Sequence, residues 1–157
     1  MIKINYTPPR TLRALFIAHY APLLLIIMIG PQTAYLGAWK LPTPMLPTIL
    51  VGAIVFLGGA TLYFKWEIFW YKTYKGQLVT DGVFKYIRHP HYASIVIIGF
   101  GLALFFYSTL ALIIAVIAIP IMMWSIIDEE KHLLREYGEE YKEFMRKTPW
   151  RMIPGLF

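Results

Sequence analysis

The residues best suited to chemistry fall in one polar, basic stretch, residues 76–92 (GQLVTDGVFKYIRHPHY), which lies between two apolar regions. Pro90 suits the first turn of a helix, because that position needs no amide donor and the ring already sets a helical φ. The spacing therefore predicts a helix beginning at about residue 90. Its free amides and positive dipole end would stand beside Arg88 and His89, an arrangement that favours a bound carboxylate or phosphate. His89 and Tyr92, three residues apart, would share one face of the first turn.

A second polar group, Glu129 and Glu130, closes a long apolar run. If that run folds back on itself, its two ends meet. Cationic and helix-terminal groups on one side with carboxylates on the other suit a ligand of mixed charge. S-adenosylmethionine is one such ligand, with its carboxylate at the helix start, its amino group or ribose on a glutamate and its adenine among aromatic rings. Nucleotides and phospholipid headgroups are others. Taken singly, each feature also has a purely structural reading: an HP step starts a helix, Arg88 pairs with lipid phosphate, and an isolated glutamate pair is a solvated face.

The elements that position these groups belong in a membrane. In 157 residues the chain is 58% hydrophobic and 15% charged, and its mean hydropathy is +0.56, far from the composition of a soluble domain. About four spans of ~20 residues fit, and no large soluble domain fits beside them. The expected fold is all-α and polytopic, a single membrane domain over 1–157, with the first two spans in 1–75 and the core in 76–157. The first span is expected over 12–30, with Pro22 as a kink and His19 as an interhelical hydrogen-bond partner. The four prolines of 31–47 read as a loop, and the second span as 45–71. Gly52, Gly58 and Gly59 would let helices approach closely. Its far end, YFKWEIFWYKTY, is an aromatic and charged collar at the headgroup level, with Glu67 as a solvated or lysine-paired group.

From 92 to 127 the chain is uncharged and apolar, interrupted by the cluster Tyr107, Ser108 and Thr109 and by the single serines Ser94 and Ser125. Two antiparallel spans of about 17 residues in a tight hairpin are expected, with Gly99 and Gly101 easing the contact between its arms and Pro120 bending the second. The tail, 128–157, predicts an amphipathic helix or pair of helices on the membrane surface, broken at Gly138 and stopped by Pro149. Leu133, Leu134, Tyr137, Tyr141 and Phe144 are its packing residues.

Fourteen of the fifteen Lys and Arg residues gather at the chain start, after the second span or after the fourth, and only Lys40 falls opposite. The positive-inside rule then puts both termini and the 76–92 loop in the cytoplasm. All nine acidic residues fall on that side. The net charge of +6 reads as topology and attraction to anionic lipid, with no reason to expect nucleic acid or an obligatory protein partner. The absence of cysteine excludes thiolate metal sites and cysteine nucleophiles, and no metal is expected. The N-terminus lacks a cleavable signal pattern, so the first apolar run reads as retained.

In that order, LVTDGVFKYIRHPHY, an apolar hairpin, EEKHLLREYGEEYKEF and TPWRMIP resemble the membrane methyltransferase family that contains isoprenylcysteine carboxyl methyltransferase and the phospholipid N-methyltransferases. The resemblance covers about 76–154, half of the chain. It implies that S-adenosylmethionine is bound by Gly76, Gln77, Leu78, Val79, Phe84, His89, Pro90, His91, Tyr92, Glu129 and Glu130. Phe84 stands where the family commonly has tyrosine, so ring stacking survives and a hydroxyl contact is lost. Ser125 stands where the carboxyl methyltransferases usually carry the arginine implicated in holding the substrate carboxylate. Serine supplies no bidentate cation, so that task passes to Arg151, with Arg88 as a weaker replacement.

The expected reaction is in-line methyl transfer to a lipid-borne or prenyl-type acceptor entering from the bilayer. A carboxylate acceptor needs only orientation, by Arg151; an amine must lose a proton, to Glu130 or His89. Two other classes stand beside it. One is an NADPH-dependent membrane reductase of the sterol type, and the other is a non-catalytic membrane adaptor.

Overall fold

A computed structural model of the chain describes residues 19–155. Among these residues the structure is all-helical: α1 (Ala21–Leu36), α2 (Met45–Thr73), a 3-10 turn (Gly82–Lys85), α3 (Pro90–Phe105), α4 (Thr109–Tyr137) and α5 (Glu139–Lys147). Residues 12–18 of the expected first span lie outside the described residues.

Helix α1 corrects the expected loop at residue 31. Pro22 sits in the first turn, where its missing N–H costs nothing, and the helix runs through Pro31 to Leu36. The Thr33 hydroxyl lies 2.8 Å from the Gly30 carbonyl and 2.8 Å from Ser108 Oγ, so a polar contact steadies the turn that Pro31 weakens. Gly37, at φ 65°, ends the helix, and the Ala38 amide donates to Thr33 O.

Helices α2 and α4 are both 29 residues long and are apolar enough to cross a membrane; each is about 43 Å at 1.5 Å per residue. Of α2, only Gly52 and Gly59 are buried. Leu50, Ile54, Leu57, Phe64 and Ile68 face outward. The two buried glycines hold α2 on α3: a methyl group on Gly52 would run into the backbone of Leu104 and Phe105, and one on Gly101 into the backbone of Phe56. Gly101 therefore serves the α2 contact rather than the α4 contact expected for it, while Gly99 faces Ile26 and Ala115. Among the described residues, nothing lies within 4 Å of the position a side chain would take at Gly58.

Three residues separate α3 from α4, and the two helices return against each other. Leu102 and Ala103 pack near Ala111, and Ile95 near Met122 and Ile126. The Ser108 side chain accepts from the Ala111 amide and caps α4. The expected equal arms are not equal: α3 has 16 residues, whereas α4 continues past Ile127 to Tyr137. The first amphipathic piece of the tail is thus the end of α4, because 128–137 keeps helical spacing with no breaker until Gly138, at φ 54°. Helix α5 follows as the second piece, with Thr148 as its C-cap.

Beside these helices the polar loop and the tail build a small lobe of their own. Val79, Phe84, Tyr141 and Phe144 are buried together beneath Trp66, Phe69, Trp70 and Leu133. The packing role expected for Tyr141 and Phe144 is what their burial supports. This lobe fixes the entry to α3.

Candidate functional site

Helix α3 begins at Pro90, and the residues before it are clasped by the tail. The amides of Arg88 and His89 donate to the carbonyls of Trp150 and Arg151 at 2.9 and 2.8 Å. The Arg88 side chain spends its whole fork in the same place: Nε and Nη2 donate to Glu130 Oε1 at 3.0 and 2.8 Å, and Nη1 donates to the carbonyls of Thr148 and Pro149. Arg151 approaches Glu130 from the other side, with Nε 3.1 Å and Nη2 2.9 Å from Oε2. His89 Nε2 lies 3.2 Å from Oε1. Glu130 is 4% exposed and Arg88 6%, so the three-sided pairing works at low dielectric, where charge-assisted bonds are strong. A carboxylate between two guanidinium groups stays ionised. The bonds to Glu130 also hold Arg151 above the ordinary arginine range.

Glu129, one residue earlier, differs. Its side chain is 41% exposed, its Oε2 accepts from the Tyr92 hydroxyl at 2.9 Å, and His89 Nδ1 is 3.9 Å away. The neighbouring glutamates therefore divide the work, Glu130 locking the clasp and Glu129 presenting a half-open carboxylate over Tyr92.

Of the residues expected in the site, His89, Pro90, Tyr92, Glu129, Glu130 and Arg151 come together with Arg88. Leu78, Val79 and Phe84 lie in the adjoining aromatic lobe, where Phe84 has Trp70 at 6.0 Å and Phe69 at 6.3 Å. Gly76 and Gln77 are exposed at the end of α2, and Gln77 closes that end by accepting from the Lys75 amide and donating to Thr73 O. Ser125 is half-buried on α4 and donates to the Ile121 carbonyl one turn earlier at 3.4 Å. Arg88, the weaker acceptor-side candidate, has every nitrogen committed to protein partners. His91 turns to the other side of the first turn, among His19, Tyr63 and Trp66. Its Nδ1 is 3.9 Å from Glu67, so among the described residues that carboxylate faces an imidazole and not the lysine expected for it. His19 makes an edge contact with Tyr92 at 4.3 Å, and its buried Nε2 has no hydrogen-bond partner among the described residues, where an interhelical bond was expected.

Sequence reasoning missed two things. The backbone pairing of residues 88–89 with 150–151 carries no residue-type signature; only the order of RHPHY and TPWRMIP hinted at it. The His19, Trp66 and His91 grouping joins the residue two before α1 to helices α2 and α3, and no local spacing reports that.

The residues present fit S-adenosylmethionine. The carboxylate of Glu129 has one oxygen on Tyr92 and another left for an amino group or ribose hydroxyl. A helix start favours a carboxylate, and Phe69, Trp70 and Phe84, the rings that would flank an adenine, pack in the adjoining lobe.

A sequence model of the phospholipid methyltransferase family matches residues 45–140. The chain is also similar to three curated proteins. The protein-S-isoprenylcysteine O-methyltransferase of Dictyostelium discoideum is 33% identical over 87 residues, covering 50% of this chain and 33% of the relative. That of Schizosaccharomyces pombe is 29% identical over 77 residues, 46% of this chain and 31% of the relative. The Arabidopsis thaliana protein-S-isoprenylcysteine O-methyltransferase B is 30% identical over 78 residues, 46% and 38%. The chain thus spans about a third of the length of the curated relatives it matches. No solved structure matches it.

Proposed function

Because the chain belongs to the phospholipid methyltransferase family, we propose that it is an integral membrane methyltransferase that uses S-adenosylmethionine to methylate a lipid-borne acceptor, with a prenyl-type carboxylate preferred. The observation that carries this reading is the meeting of His89 and Tyr92 with Glu129 and Glu130 at the start of α3. The names of the three curated relatives support the carboxylate. Four spans are proposed: α1 and α3, at 16 residues each, cross beside the longer α2 and α4, with α3 and α4 as a tight hairpin. The site then lies at the cytoplasmic surface with both termini on that side.

The cofactor would be held by Gly76, Gln77, Leu78, Val79, Phe84, His89, Pro90, His91, Tyr92, Glu129 and Glu130, and it supplies an electrophilic methyl group. The chain's own residues orient and exclude water. Arg88 and Arg151 fix Glu130, which ties the tail over the start of α3, and Tyr92 fixes Glu129. Arg151 is about one-third exposed (34%) and spends Nε and Nη2 on Glu130, which leaves Nη1 to orient an acceptor carboxylate. No base is then needed, since a carboxylate is already nucleophilic, and the rate comes from near-attack placement. The family's description favours a second reading, a phospholipid amine. That acceptor must lose a proton, and with both Glu130 oxygens engaged by guanidinium groups His89 is the better of the two expected acceptors of it.

Incubating membranes that contain the protein with methyl-labelled S-adenosylmethionine and identifying the labelled lipid tests the reading. Label released by mild base marks an ester and stable label an amine, while no labelled lipid contradicts methyl transfer. A parallel titration with NADPH separates the reductase alternative, and binding of neither cofactor favours a non-catalytic protein.

A further inference from the structure

Between α1, α3 and α4 runs a narrow crevice that neither the clasp nor the aromatic lobe uses. Leu23 and Ile26 of α1, Val96 and Gly99 of α3 and Ala115 and Ala118 of α4 line it, with Ile95 and Met122 nearer the site. Leu23 and Val96 are half-buried at its mouth, and the others are buried. With that mouth the crevice holds about 220 Å³, but the centre of a water molecule fits over only about 10 Å³. Its walls are apolar throughout, so hydrocarbon suits it and water does not. Gly99 keeps it open. At Gly52 and Gly101 an added methyl group would meet backbone, so the helix contact itself requires glycine there. At Gly99 the same group would make ordinary contacts, 3.5 Å from Ile26 Cδ1 and 3.9 Å from Ala115 Cβ. Glycine weakens a helix relative to alanine, and here helix packing does not demand it, so the space it leaves calls for an occupant.

We propose that this crevice takes the hydrocarbon chain of the lipid-borne acceptor, and that Gly99 sets how much chain it admits. This rests on the methyl-transfer reading. Continuity ties the crevice to the site: Ile95, Ala118 and Met122 are buried in one cluster with Tyr92 and Met152. The Tyr92 hydroxyl bonds Glu129, and Met152 follows Arg151 in the chain. An acceptor whose carboxylate is oriented by Arg151 therefore has an apolar path past Met152 and Met122. Gly99 lies about 10 Å along α3 from Tyr92, at 1.5 Å per residue, within reach of a chain held at its polar end. Met122 stands between them, 1% exposed, and an unbranched thioether side chain turns aside more readily than a branched one, which suits the wall of so narrow a space. The chain is the prenyl group of a prenylcysteine or, for an amine acceptor, the acyl chain of a phospholipid.

The full chain in phosphatidylcholine discs is photolabelled with N-acetyl-S-farnesylcysteine that carries a diazirine at the far end of its prenyl group, and the labelled peptides are identified by mass spectrometry. Label is expected on residues 22–26, 95–99 and 115–122. Excess unlabelled N-acetyl-S-farnesylcysteine removes it if the natural chain is prenyl, and excess phosphatidylethanolamine if it is acyl. Label on the outward face of α2 alone, or label that neither competitor removes, marks bulk lipid and overturns the proposal. In kinetics with S-geranyl and S-farnesyl acceptors, or short- and long-chain phosphatidylethanolamines, Gly99→Leu is expected to lower kcat/KM for the longer chain at least 10-fold more than for the shorter. Gly99→Ala, whose methyl group fits the fold, is expected to shift the same ratio about fourfold, the worth of one buried methylene. Both variants keep S-adenosylmethionine affinity within twofold of wild type. Equal losses for the two chain lengths, or an unchanged ratio in Gly99→Ala, contradict the role of Gly99. If the protein neither binds S-adenosylmethionine nor methylates, the methyl-transfer reading fails separately, and competed label on α1, α3 and α4 would still support the crevice.

Discussion

Glu129 and Glu130 are neighbours in the chain and opposites in environment, and substitutions at them separate a binding role from a structural one. Glu130→Ala strands Arg88 in a buried position, and breaking one partner out of such a pair costs about 3–5 kcal/mol. The expected result is a melting temperature lowered by many degrees in detergent. Glu129→Gln leaves the fold alone, since that side chain is 41% exposed. It is expected to melt as wild type does and to lose cofactor affinity. At this scale the sequence was informative about identity and less so about role. RHPHY and the glutamate pair stand out by type, and their order carries the family resemblance. That Arg88 would be consumed by Glu130 and two tail carbonyls was not legible, because a guanidinium has no preference between ligand and protein that spacing reveals.

Among the elements, the contact of α2 with α3 decides whether the start of α3 is held in place. Gly101→Val drives a branched side chain into the Phe56 backbone, which cannot yield as a side chain tip would. The expected outcome is loss of the folded state in thermal scans, with faster proteolysis at the connecting loops. Gly58→Ala is the control, because no described residue lies within 4 Å and alanine is the better helix former by about 1 kcal/mol; it is expected to melt at or slightly above wild type. The apolar runs gave the helices away, with α2 ending only two residues beyond the expected 71. The misplaced boundaries have local causes. Pro31 looks like a stop in sequence, yet it continues a helix whose neighbours supply the packing, and the end of α4 looks like a separate surface piece because its composition changes at Asp128 while its helical period does not.

For the molecule as a whole, the charge asymmetry makes a claim about sides. The chain contains no cysteine, so a single cysteine introduced at Lys40 or at Lys85 is a unique label. In sealed right-side-out vesicles an impermeant maleimide is expected to modify Lys40→Cys directly and Lys85→Cys only after the membrane is opened; labelling of both from one side contradicts the topology. The topology matters for function because it brings RHPHY, the glutamate pair and the TPWR tail to one face, although no pair of them is adjacent in sequence. The most direct test of that convergence is calorimetric titration of S-adenosylmethionine into the wild-type protein and the Glu129→Gln variant. Saturable binding by the wild type that falls at least 10-fold in the variant is the expected result, and equal affinity in both would contradict a cofactor site built across Tyr92 and Glu129.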